Sequence, residues 1–273
     1  MKMKKFVIII ICGIMAQNYA VSQHRSITWE KFNFVGPELK QIGQLATRHS
    51  KDIPSSPWSV GCETLDRDYG KFANYKNYVG ELGVKSARLQ SGWAKCEQQK
   101  GKYSFEWLDE CVYGLNEQGV KPWICLCYGN PLYGAEKELG AKIFTDEATM
   151  SAWLRYVEAT VKHYRNVVNE WEIWNEPNLR SNSPADYAVL LIKTADKIKE
   201  IQPDAVIIGF SLAGFSPGPF TQGVFETLKA SNKTNIVDYL TFHPYINNPD
   251  DANPEIAALQ AMARSYHPGI RFF

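Results

Sequence analysis

A chain of 273 residues, 45% of them apolar, is long enough to bury one large core. Its 30 basic and 29 acidic residues leave a net charge of only +1, which excludes the basic footprint of a nucleic-acid or polyanion binder. Aromatic residues reach 13%, a supply of rings that can fill a core or stack on flat ligand faces.

The chain opens as a secretory signal expected to span residues 1–22. Lys2, Lys4 and Lys5 form a positive start, Phe6 to Met15 an apolar run, and Ala20 and Ser22 a small-residue cleavage site before Gln23. The apolar run is about half of the ~20 residues a spanning helix needs, so export with cleavage is expected, with no membrane association afterwards. Removing this segment takes Cys12 and leaves Cys62, Cys96, Cys111, Cys125 and Cys127, an odd set that cannot pair completely within the chain. Cys125 and Cys127 fall on one face of a single strand, as small core residues do. No Cys/His cluster has ligand spacing, so neither a metal nor a cofactor is expected.

Residues 23–56 read as a polar, turn-rich segment that wraps the N-terminal face of the domain that follows. From residue 57, short apolar runs alternate with amphipathic stretches. Strands are expected at Ser59–Gly61, Ser86–Leu89, Pro122–Tyr128, Trp171–Asn175, Val206–Gly209, Tyr239–Tyr245 and Ile270–Phe273. Helices are expected at Tyr69–Leu82, Phe105–Gln118, Asp146–Arg165, Pro184–Ile201, Thr221–Ala230 and Pro254–Tyr266. Asp146 suits an N-cap, Pro184 a first-turn position, and Gly83 and Gly119 suit helix ends. Such alternation implies an α/β fold with a parallel sheet, either doubly wound or closed as a (β/α)8 TIM barrel. The first strand leads into Gly61-Cys62-Glu63-Thr64-Leu65-Asp66 and lacks the glycine-rich turn of nucleotide-binding folds, which favours the barrel over residues 57–273.

The segment Glu170-Trp171-Glu172-Ile173-Trp174-Asn175-Glu176-Pro177-Asn178 carries the chemistry. Pro177 stops a strand by removing a backbone donor, which places Asn175 and Glu176 at the C-terminal rim where barrel enzymes build their sites. Glycoside cleavage needs a carboxyl group to protonate the leaving oxygen, and Glu176 fits that role; the bland alternative is a capping carboxylate at a strand-to-helix turn.

Trp174-Asn175-Glu176-Pro177 resembles the acid/base motif on strand four of glycoside hydrolase clan A, the retaining TIM-barrel glycosidases. Thr241-Phe242-His243-Pro244-Tyr245 is similar to the clan's strand-six motif, and Arg88 to its strand-two arginine. The resemblance covers residues 57–273 and is greatest to family 39, the β-xylosidases and α-L-iduronidases. It implies that Glu176 is the acid/base and that Asn175, His243, Tyr245 and Arg88 line the substrate site. Arg88 is alternatively a buried ion-pair partner of Glu172, which is read as an interior carboxylate one layer below Glu176. Trp93 is read either as a sugar-stacking ring or as loop packing, and Tyr128 and Asn130, at the end of strand three, as substrate contacts.

The clan's nucleophile is a glutamate on strand seven. Ile270-Arg271-Phe272-Phe273 reads as the start of that strand and carries no carboxylate, so the chain is expected to be truncated before its nucleophile, and inactive as it stands. The complete protein is expected to be an exported, retaining and exo-acting β-xylosidase-like enzyme on oligo- or polysaccharides. The alternatives are an endo-glycanase of the same clan and a non-catalytic carbohydrate-binding pseudoenzyme.

Overall fold

The structure, a computed structural model, describes residues 42–43, 46–63, 65–214 and 217–272. The division of the chain falls between Leu45 and Ala46, and the described residues from 46 onward belong to one compact unit. The signal expected at residues 1–22 lies outside the described residues, and everything below concerns that unit.

Seven strands form one parallel sheet: β1 Ser59–Gly61, β2 Ser86–Gln90, β3 Lys121–Leu126, β4 Glu170–Ile173, β5 Val206–Ala213, β6 Tyr239–His243 and β7 Arg271–Phe272. They lie side by side in chain order. A doubly wound sheet would reverse that order at a switch point; a monotonic succession with helices between strands is the wall of a (β/α) barrel. The helices are α1 Lys76–Glu81, α2 Trp93–Cys96, α3 Glu106–Glu117, α4 Glu147–Tyr164, α5 Pro184–Ile201, α6 Pro219–Ala230 and α7 Ala252–Tyr266.

The local signals act as read. The Asp146 carboxylate accepts the Thr149 N–H at 2.8 Å and caps α4. Pro184 starts α5 behind a Ser183 cap. Gly83 and Gly119 take φ of 71° and 75° to leave α1 and α3 for the next strand. The helix expected from Tyr69 is shorter. It begins as the single turn Phe72–Asn74, and Tyr75, with φ −132° and ψ 0°, separates that turn from α1. Tyr69 therefore belongs to the loop after β1, on the rim. At the opposite end, Ser50–Asp52 packs across the strand starts, where the Lys85 ammonium donates to the Ser50 and Gly119 carbonyls at 2.7 and 3.1 Å.

The core lies between sheet and helices. Ala87, Leu89, Ile124, Leu126, Trp171 and Ile173 point outward and are buried, while Arg88, Trp123, Cys125 and Glu172 point into the barrel. Among the described residues the five cysteines are free and buried, and burial pushes the thiols of Cys62, Cys96 and Cys111 up to about 12, so they behave as small core residues.

Candidate active site

One charged layer crosses the barrel just below its C-terminal mouth. Arg88, on β2, donates from Nε to Glu172 Oε2 on β4 at 2.5 Å and from Nη1 to Glu63 Oε1 after β1 at 3.1 Å. Its Nη2 reaches Asn175 Oδ1 at 2.9 Å and Ser211 Oγ at 3.2 Å. Glu172 is fully buried, and its second oxygen accepts the Thr241 hydroxyl at 2.9 Å. Burial alone would raise the Glu172 carboxyl, but the Arg88 guanidinium and the hydrogen bonds outweigh it and hold Glu172 below the ordinary value. The same pairing outweighs burial at Arg88, whose guanidinium is held well above its ordinary range. The ion pair entertained for Arg88 is thus present, and it does more than neutralise charge. Because Arg88 only donates, Asn175 must turn Oδ1 toward it, which leaves the Nδ2 amide able to donate to a substrate hydroxyl.

Above this layer the backbone leaves strand geometry. β4 ends at Ile173, two residues earlier than expected. Trp174 and Glu176 take φ of 67° and 53°, and Phe210 and Ser211 on β5 take 72° and 42°. Such left-handed conformations cost roughly 1–3 kcal/mol each for residues other than glycine. Specific hydrogen bonds hold them. Tyr187 on α5 donates to the Ile173 carbonyl at 3.1 Å and accepts the Phe210 N–H at 2.7 Å. The Glu176 N–H donates to the Ser211 carbonyl at 2.8 Å, and the Ser211 N–H to Thr241 Oγ1 at 3.1 Å. The kinks send the Trp174 ring outward against Trp153 and Phe144, while Asn175 turns inward to Arg88 and Glu176 toward β6.

There Glu176 Oε1 lies 2.9 Å from His243 Nδ1, and His243 Nε2 lies 3.4 Å from Ser211 Oγ. An ionised Glu176 only accepts, so His243 Nδ1 carries the hydrogen that faces Oε1, and Nε2 of the neutral ring is left to accept from the Ser211 hydroxyl. Glu176 Oε2 is then the oxygen that can carry a transferable proton, and its side chain remains partly open to the mouth.

Of the residues singled out from sequence, Glu176, Asn175, Arg88 and His243 converge. The Tyr245 side chain does not join their hydrogen bonds: the residue is 92% exposed, with its ring 6.5 Å from that of His243, and only its backbone N–H donates to the His243 carbonyl at 3.0 Å. Trp93 is corrected as a sugar-stacking ring. It is fully buried, stacked between Tyr133 and Tyr156, and its N–H donates to Glu97 Oε2 at 2.6 Å, so no face is left for a ligand. Asn130 is corrected likewise. Its amide donates to the Glu97 carbonyl at 2.8 Å while its oxygen accepts the Leu132 N–H at 2.9 Å, which makes it a buried turn cap. Tyr128 is buried, accepts from Gln90 Nε2 at 2.9 Å, and forms one wall of a hollow beside the mouth.

Sequence reading passed over Glu63, Ser211 and Thr241. Glu63 could have been found from the rule that carboxylates at barrel strand ends are candidates. A Cβ on Gly61 would collide with its carboxylate, so the glycine makes room for Glu63 to reach Arg88. Ser211 faces the site only because of the kink in β5, for which Phe210-Ser211 gives no signal.

Comparison with known proteins agrees with this architecture. The glycosyl hydrolases family 39 profile matches residues 84–269, more than half of the chain. A mannan endo-1,4-beta-mannosidase A from Emericella nidulans is 30% identical over 159 residues, covering 53% of this chain and 40% of that protein. Among solved structures, a monomeric beta-xylosidase from Caulobacter crescentus CB15 superposes with a TM-score of 0.62 at 21% identity, covering 78% of this chain and 50% of its own. A family 39 glycoside hydrolase from Bacteroides cellulosilyticus WH2 gives 0.54 at 24% identity, over 69% of this chain and 38% of the other. The chain spans half or less of the length of each of these proteins.

Proposed function

The chain belongs to glycosyl hydrolases family 39, and on that premise we propose that it carries the acid/base half of a retaining glycosidase acting on β-linked sugar chains. The observation that carries the reading is the Glu176 carboxyl, held at the strand-four rim by His243 at 2.9 Å, beside an Arg88–Asn175 pair turned toward the mouth.

In the proposed first step a carboxylate attacks the anomeric carbon, the bond to the leaving oxygen breaks, and Glu176 Oε2 gives its proton to that oxygen. In the second, Glu176 takes a proton from water as the water attacks the anomeric carbon and frees the carboxylate. His243 holds Glu176 in place in both steps, and Asn175 donates to a sugar hydroxyl near the reacting carbon. A retaining geometry needs the two carboxyl groups about 5–5.5 Å apart. The described part of β7, Arg271–Phe272, offers no carboxylate, and the chain spans half or less of its relatives' length, so we propose that the nucleophile belongs to a part of the full-length protein outside these residues. Reading the coding sequence past Phe273 tests this assignment, since a glutamate is expected within the next few residues. Proton NMR of the first-formed anomer during hydrolysis of an oligosaccharide by the full-length protein tests the mechanism: retention is expected, and inversion overturns it.

The solved xylosidase neighbour suggests a xylose-like glycone and exo action, while the mannosidase relative and the hollow beside Tyr128 favour a substrate that extends further, as in endo action. A purely sugar-binding barrel would need no proton donor, and the intact Glu176–His243 pair favours hydrolysis. We further propose export, with cleavage before Gln23; mass spectrometry of the secreted protein should find Gln23 at its N-terminus. Among the described residues no helix is long and apolar enough to cross a membrane.

A further inference from the structure

Next to the mouth, between the loop after β1 and the ends of β2 and β3, lies a hollow of about 450 Å³ that none of the residues discussed so far requires except Tyr128. Its size is within the range of small-ligand sites. The Arg67 guanidinium forms its floor, donating to Gln90 Oε1 at 2.6 Å and lying 5.8 and 5.9 Å from the ring centres of Tyr69 and Tyr128. Gln90 is two residues past Arg88 on the same strand face, and the Tyr128 ring meets that of Trp174 edge-on at 6.1 Å. The hollow is thus one side chain away from the charged layer that orients Asn175.

Its charges cancel. Arg67 pairs with Asp66 at 3.3 Å, Lys95 with Asp68 at 2.6 Å, and Lys137 and Glu138 sit together on the outer wall. An incoming carboxylate or sulfate would meet as many acids as bases, and an apolar group would strand them all. A neutral polyol suits them, because each hydroxyl donates to a carboxylate and accepts from a cation. Tyr69, 79% exposed, adds a ring on which the face of a sugar can stack.

Glu176 turns Oε1 to His243 on β6, whereas the hollow lies over the ends of β2 and β3. We propose that this hollow is a subsite for a second neutral pyranose unit, next to the sugar undergoing attack. The proposal rests on the glycosidase reading for the identity of its ligand.

Titration calorimetry on the full-length Glu176→Gln protein tests it with xylose, xylotriose, mannose and mannotriose. In one of the two series the trisaccharide is expected to bind at least about tenfold more tightly than the monosaccharide; Tyr69→Ala should erase about tenfold of that gain, and Tyr69→Phe, which keeps the ring, should retain it. Trisaccharides that bind no better than monosaccharides in both series, or a gain indifferent to Tyr69→Ala, overturn the subsite. Hydrolysis of the same trisaccharides by the unmutated protein is a separate readout: tight, Tyr69-dependent binding without any cleavage keeps the subsite and rejects the glycosidase reading.

Discussion

The two glutamates at the end of β4 stand four residues apart and live in opposite regions of the molecule. Glu172 is sealed inside the barrel, ion-paired to Arg88 and hydrogen-bonded by Thr241. Glu176 sits on the rim, touched by one imidazole nitrogen and partly open to the mouth. Both oxygens of the buried Glu172 are hydrogen-bonded, while the rim leaves one Glu176 oxygen free to carry a proton. What separates the regions is the left-handed turn at Trp174, which converts a regular strand into a platform whose next two residues both face the site.

The largest effect should come from breaking the buried layer. Glu172→Gln leaves the buried Arg88 guanidinium with only the partly exposed Glu63 as counter-charge, and a loss of about 3–5 kcal/mol of unfolding free energy is expected from denaturant titration. The pH dependence has a defined sign. A carboxyl whose folded value is lowered stabilises the protein above its unfolded value, and that contribution disappears as pH falls through the folded one. The unmutated protein should therefore lose stability as pH drops below the ordinary glutamate value of 4.5, and Glu172→Gln should flatten that part of the curve. An unchanged slope would mean that other carboxylates govern acid unfolding.

Breaking the rim should cost activity and little stability. In the full-length enzyme, Glu176→Gln is expected to lower turnover of substrates with poor leaving groups by about 10²–10⁴-fold. Glycosylation from activated aryl glycosides, whose leaving groups need no proton, should be largely spared, and the melting midpoint should stay close to the parent's. Equal losses on both substrate classes would remove Glu176 from the proton-donor role. A smaller effect is expected at the edge of the buried layer. The Trp123 indole N–H lies 3.4 Å from Glu172 Oε2, a long bond to an oxygen already held by Arg88. Trp123→Phe should cost about 1–3 kcal/mol, mostly from lost packing, in denaturant titration, and leave the acid branch of the stability curve in place.

The contrast also marks what could be read in advance. Strand-helix alternation, the Asp146 cap and the Gly83 and Gly119 turns are local properties of sequence, and they placed most elements to within a few residues, the first helix excepted, whose start fell seven residues late. Glu176, Asn175, Arg88 and His243 were legible because the strand-end motif concentrates them at one rim. In the sequence Trp93 stays open between sugar stacking and loop packing, and Asn130 reads as a substrate contact, because periodicity places a residue at a rim without saying whether its partners sit above or below it. Both are held by Glu97, a buried carboxylate in a short stretch that carried no helix signal. Ser211 and the hollow depend on a kink and on a loop meeting two strand ends, and such tertiary encounters leave no periodic trace.

The subtlest link between the two regions is Ser211, which touches both. Its hydroxyl accepts from Arg88 below and faces His243 Nε2 above, so a hydroxyl proton given to Nε2 helps keep the ring hydrogen on Nδ1, the nitrogen that faces Glu176. Ser211→Ala removes the hydroxyl and keeps the backbone carbonyl that accepts the Glu176 N–H. Arg88 Nη2 still has Asn175, so the buried layer should survive with a stability change of about 0.5–1.5 kcal/mol. Nitrogen-15 NMR of the imidazole should show the Nδ1–H tautomer of His243 in the parent and a mixture in the variant. Turnover of poor-leaving-group substrates should fall about threefold to tenfold, with activated glycosides less affected. An unaltered tautomer with full activity would show that Glu176 is oriented without help from the layer beneath it, and the rim and the interior would then be independent parts of the site.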